Sequence, residues 1–105
     1  MKRCLCLSLV LIAVSLPLFA ETAANNYKAK CTPCHGADGT GNTPVGKSLH
    51  VKSLASNEVQ KLTDAELTTI LTDGKNKMPA FKGKLTDAEI KDMVTFIRSF
   101  APPQR

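Results

Sequence analysis

The sequence predicts an all-α domain of three main helices joined by long loops. Three observations predict it. Leu62-Thr63-Asp64-Ala65-Glu66 recurs as Leu85-Thr86-Asp87-Ala88-Glu89, and each copy reads as a helix start. Ile90, Met93, Val94 and Ile97 follow the i, i+3, i+4, i+7 spacing of one helical face. No convincing strand run is present.

Residues 1–20 precede that domain and read as a secretory signal peptide. Lys2 and Arg3 supply the positive n-region. The apolar stretch from Leu5 to Leu16 is interrupted only by Cys6, Ser8 and Ser15, Pro17 breaks it, and Ala20 is a small residue at the expected cut. The competing reading is an uncleaved anchor, but Cys4–Ala20 falls short of the about 20 residues a spanning helix needs. Cleavage leaves residues 21–105 as one small domain and places it in the periplasm. Cys4 and Cys6 leave with the leader. Removing Lys2 and Arg3 from the formal charge of +5 leaves +3, a mild basicity that does not point to nucleic acid.

The first helix is expected from a Thr22 cap through Ala23, Ala24 and Tyr27 to Cys31, although Asn25 and Asn26 are mediocre helix formers. From Cys34 to Gln60 there is little periodicity, and Gly36, Gly39, Gly41, Pro44 and Gly46 interrupt it. A loop this long needs a surface to pack on. The second and third helices open at Thr63 and Thr86, each with a glutamate three residues on to complete a capping box. Leu62 can staple to Leu67, and Leu85 to Ile90. Gly74 is placed to end the second helix. Phe96 and Phe100 extend the apolar face of the third, which Pro102 and Pro103 are expected to stop. The two helices diverge after their shared start, so the repeat is a reused cap rather than a duplicated domain.

Chemistry concentrates in Cys31-Thr32-Pro33-Cys34-His35. Cys-x-x-Cys-His is the attachment signal for a c-type haem. Two thiols with two residues between them can form thioethers to one porphyrin edge, and the adjacent His35 can donate an imidazole nitrogen to the iron. A zinc site would need four protein ligands. Outside the motif, residues 21–105 offer only His50 as another nitrogen ligand and no further cysteine. A thioredoxin-like thiol pair is the stronger competitor, but that fold needs strands around the motif. A flat apolar porphyrin would also supply the surface that the glycine-rich loop requires.

An iron held by one histidine has an open sixth position. Met78 is the candidate to fill it, since Pro79 holds it in extended backbone on a stiff loop. Methionine is more commonly a core filler, and Met93, on the helical stripe, fits that role. His50 would instead give a bis-histidine iron.

In these features the chain resembles the small monohaem class I c-type cytochromes of the bacterial periplasmic kind. The resemblance rests on Tyr27, Cys31-x-x-Cys34-His35-Gly36, Met78-Pro79 and a closing amphipathic helix. It implies the cytochrome c fold, with long loops wrapped around one covalent haem. It implies that Cys31 and Cys34 bear haem c and that His35 and Met78 are the iron ligands. It implies that Pro44 gives its carbonyl to the His35 Nδ1–H and that the first and last helices cross with Tyr27 near Phe96. The family usually has glycine where this chain has Ala23. Some members place a tryptophan near a haem propionate. This chain has none, and Gln60, His50 and Lys52 are the candidates to replace it.

His/Met ligation leaves no open iron position and implies an electron carrier rather than an enzyme. Loop residues Lys47, Lys52, Lys75, Lys77, Lys82 and Lys84 could form a collar that steers an acidic redox partner. Lysines on loops are also ordinary solvated surface. The expected state is a monomer that does not insert into a membrane. The alternatives are a cytochrome subunit of an oxidoreductase complex, a small haem peroxidase or sensor, and a thiol–disulfide oxidoreductase.

Overall fold

The computed structural model describes residues 9–13 and 18–103. Six helices follow in order: α1 Leu18–Lys30, α2 Thr32–His35, α3 Pro44–Ser48, α4 Asn57–Gln60, α5 Asp64–Asp73 and α6 Asp87–Arg98. There is no β-strand among the described residues, only isolated bridges at Lys75–Met78 and Lys82–Leu85. The three main helices are α1, α5 and α6. Residues 1–8 and 14–17 of the expected leader lie outside the described residues.

Both expected capping boxes are present. The Glu66 N–H donates to Thr63 Oγ1 at 3.1 Å, and the Thr63 N–H donates to Glu66 Oε2 at 2.8 Å. Thr86 and Glu89 repeat the arrangement at 3.1 and 3.0 Å. Each box satisfies backbone donors that a helix start would otherwise leave unpaired.

α6 organises the core. Ile90 and Met93 are completely buried, and Val94 and Ile97 follow on the same stripe. Burying one such side chain contributes about 1.5–3 kcal/mol. α5 packs on α6 through a cluster that includes Leu67 and Leu71, and α1 packs on α6 from the other side. The Tyr27 ring lies 4.9 Å from Phe96 and 5.3 Å from Phe100, as the helix crossing required. Ala23 is buried in α1, one turn before Tyr27. Asn26, a mediocre helix former, donates to Glu89 Oε2 at 2.8 Å and so ties α1 to the cap of α6.

Three boundaries differ from expectation. α1 starts at Leu18, four residues before Thr22. α6 ends at Arg98, four residues before Pro102, with Ser99 as its cap. The stretch from Cys34 to Gln60 is not one open loop. It contains α3 and α4, and its own backbone closes it: Gly41 N–H to His35 O at 2.8 Å, Val51 N–H to Gly46 O at 2.9 Å, and Leu54 N–H to Gly39 O at 2.8 Å. Gly46 makes one of these turns possible. A Cβ there would collide with the carbonyls of Gly41 and Cys34.

Candidate functional site

α1 delivers Cys31 directly after its last turn, and the short α2 carries Cys34 and His35. Two contacts hold this segment. The Tyr27 hydroxyl donates to Gly36 O at 2.5 Å, and the Thr43 hydroxyl lies 2.9 Å from Pro33 O and 3.0 Å from Cys34 O. Burial, reinforced by Cys31 and Asp38, pushes the Tyr27 phenol up to about 12, so it stays a donor.

Cys31, Cys34 and His35 all open onto one cavity of about 670 Å³. That volume lies within the about 300–1,000 Å³ of ordinary ligand sites. Met78 lines the same cavity, and so does His50. The remaining wall is chiefly apolar: Leu54, Val59 and Leu62 before α5, Leu67 and Leu71 on it, and Met93 and Ile97 from α6.

Met78 stands where the chain turns back from α5. Gly74 caps the helix at φ 76°, and a Cβ there would meet Met78 O at 2.6 Å. Lys75 and Met78 exchange backbone bonds of 3.1 and 2.9 Å around Asn76, which sits at φ 54°. Asparagine tolerates that left-handed geometry. The Phe81 N–H then donates to Leu71 O at 2.9 Å, so both ends of the Met78 loop are fastened to α5.

Cys31 and Cys34 form no disulfide with each other. Burial pushes Cys31 up to about 11, with Lys30 opposing and Cys34 adding to the rise. That direction is opposite to the lowered value of a reactive redox thiol. Burial pulls the His35 imidazole below its ordinary value and favours the neutral form that ligates metals. His35 Nδ1 is buried and has no hydrogen-bond partner, so the Pro44 carbonyl does not accept from it here. Pro44 instead begins α3 and does not line the cavity. Among the described residues, no group of three His, Cys, Asp or Glu side chains could hold a metal ion. A bare metal site therefore lacks a donor set. A porphyrin, which brings its own four nitrogens, needs only axial ligands from the chain.

The comparisons with known proteins identify the family. Residues 19–97 match the family model described as cytochrome c oxidase, cbb3-type, subunit III. The chain is a small monohaem class I c-type cytochrome. Cytochrome c6 of Petalonia fascia is 36% identical over 73 residues, covering 70% of this chain and 82% of that protein. Cytochrome c6 of Leptolyngbya boryana is 35% identical over 80 residues, covering 74% and 91%. The solved structure titled KustC0563 c-type cytochrome superposes with a TM-score of 0.70 at 33% identity, covering 76% of this chain and 98% of that one. The cytochrome carries covalently bound haem c and transfers electrons through it; it is a carrier, not an enzyme. An apolar cavity with two thiols and an imidazole at its edge fits that group.

The structure also sorts the expected outer residues of this cytochrome. Lys52, Lys75 and Lys77 line the cavity, whereas Lys47, Lys82 and Lys84 do not. Lys30 and Lys61 join the rim, and sequence reasoning missed both. Lys30 was legible in principle, since it directly precedes the first motif cysteine. Of the candidates to stand near a propionate, Gln60 turns away and donates its amide to Leu54 O at 2.7 Å and Ile97 O at 3.1 Å. His50 and Lys52 remain at the cavity, with Lys52 paired to Glu58. No helix among the described residues is long and apolar enough to cross a membrane.

Proposed function

We propose that this cytochrome is a periplasmic electron shuttle whose iron is held by His35 and Met78. The observation that carries the reading is that Cys31, Cys34, His35 and Met78 meet at one chiefly apolar cavity. Cys31 and Cys34 anchor the porphyrin as thioethers. His35 gives a neutral imidazole, and Met78 a thioether from a loop fastened at both ends. When bound, the haem supplies a one-electron couple. A methionine ligand and an apolar wall both favour the ferrous state and raise the potential. With His35 and Met78 both holding the iron, small molecules would find no open site on it, and electrons would cross the protein edge directly to a partner. Pro44 keeps its proposed part as acceptor for His35 Nδ1 when the haem is bound, since that buried nitrogen requires one.

Export follows from residues 1–20, removed as a signal peptide. Five lysines on the rim, 30, 52, 61, 75 and 77, face one acid, Glu58, which Lys52 engages. That imbalance favours a partner with an acidic docking face. Its electron-transfer rate is expected to fall as ionic strength rises, because screening shortens the reach of the lysines. A rate independent of salt from stopped-flow measurements would remove the docking role.

The absorption spectrum of the purified holoprotein tests the ligation. A covalent c-type haem with the weak far-red band of methionine-bound ferric iron is expected. Haem without that band would move the ligand to His50 or leave the iron open. A second reading, a cytochrome subunit of an oxidoreductase complex, draws support from the description of the matching family model. Co-purification with a catalytic subunit would favour it over a free shuttle.

A further inference from the structure

Residues Leu54–Leu62 form one wall of the cavity, through Leu54, Glu58, Val59, Lys61 and Leu62. Apolar packing holds this wall only in part: Leu54 belongs to the core cluster, and Val59 and Leu62 pack against it. Its single turn, α4, has four residues and none of them is buried. Isolated turns of that length are unstable in water. Hydrogen bonds to α6 add what that packing and the single turn lack.

Two residues whose side chains do not line the cavity supply them, Arg98 on α6 and Gln60 within the wall itself. Arg98, the last residue of α6, donates Nη1 to Gln60 O at 2.9 Å and Nη2 to Leu62 O at 2.5 Å. The same guanidinium reaches Asp64 Oδ1 from Nη2 at 2.9 Å and from Nε at 3.2 Å. Gln60 Nε2 closes the other end by donating to Leu54 O and Ile97 O, and Gln60 Oε1 lies 3.4 Å from Arg98 Nη1. The planar fork of arginine suits several fixed acceptors at once, which a lysine cannot match. Cations are also favoured at a helix C-terminus. Both ends of the wall are thus tied to α6, the element that carries Met93 and Ile97 into the same cavity.

We propose that Arg98 and Gln60 are positioning residues that keep the Leu54–Leu62 wall shut and thereby set the reduction potential. The inference rests on haem occupying this cavity. A wall that opens admits water beside the iron, which stabilises the more highly charged ferric state and lowers the potential. Neither residue touches the cavity, so the effect is transmitted through the wall alone.

The test uses holoprotein variants Gln60→Met, Arg98→Met and Arg98→Lys, with midpoint potentials read by spectroelectrochemistry at low and high salt. Gln60→Met changes no charge. It is expected to shift the ferric/ferrous equilibrium about threefold to tenfold toward ferric, about 28–59 mV, equally at both salt concentrations. Arg98→Met is expected to shift it further, and Arg98→Lys to recover part of the difference. Variants that melt earlier but keep the wild-type potential would overturn the proposal and leave a purely structural latch. A shift confined to Arg98→Met and abolished by salt would also overturn it, as a through-space charge effect. If Arg98→Met does not fold, Gln60→Met and Arg98→Lys carry the comparison. A wild-type spectrum without the far-red band would fail the Met78 assignment, while the variant potentials still decide the role of the wall.

Discussion

Replacing Cys31 and Cys34 together by alanine is expected to give a chain with no covalent haem and no stable native fold. The reason is the size of the cavity. At about 24 cal/mol per Å³, an unfilled space of 670 Å³ would cost about 16 kcal/mol. The cleft is open to water, so that figure is an upper bound. Domains of this kind are stable by only about 5–15 kcal/mol, so even a fraction of that bound weakens the fold. The caps on α5 and α6 survive the substitution, but the apolar wall loses the surface it packs against. Haem staining of the denatured protein and a thermal melt by circular dichroism check both halves. A haem-free double variant with native helicity and a sharp melt would contradict the packing role given to the porphyrin.

Met78→Ala has the second largest expected effect, and it is separable from the first. The thioethers and His35 are untouched, so the haem stays attached. The far-red band disappears, exogenous ligands such as azide or imidazole bind, and the potential falls. Axial ligands span about 0.8 V across haem proteins, so a fall on the order of 0.1 V is expected. Met93→Ala is the matched control. Met93 is completely buried in the core, so its loss costs about 2–5 kcal/mol of stability and leaves the far-red band in place. If Met78→Ala keeps the band and the potential, another side chain holds the sixth position.

The loop that presents Met78 shows how much of the site was readable in advance. Pro79 marked a stiff, extended methionine, and Gly74 marked the end of the preceding helix. Both signals act through backbone sterics over one or two residues. The close approach of Gly74 to Met78 O, and the fastening of Phe81 to Leu71 O, depend on how the loop folds back on α5. The Cys34–Gln60 stretch was the least legible. Its closing hydrogen bonds join residues whose pairing no local pattern specifies. The Pro44 contact is another such case, since the buried His35 Nδ1 has no hydrogen-bond partner here.

The sequence by itself determined the attachment motif, the two capping boxes, the apolar stripe of α6 and the placement of methionine on a rigid loop. Each of these is set by neighbours within about one helical turn or by the covalent reach of adjacent side chains. Only the tertiary structure decided which lysines reach the cavity, that Gln60 faces away from it, and that Arg98 clasps carbonyls of residues 36 and 38 positions earlier. Those choices depend on the packing of α6 against the segment before α5, where geometry between distant residues, not their identity, selects the partner.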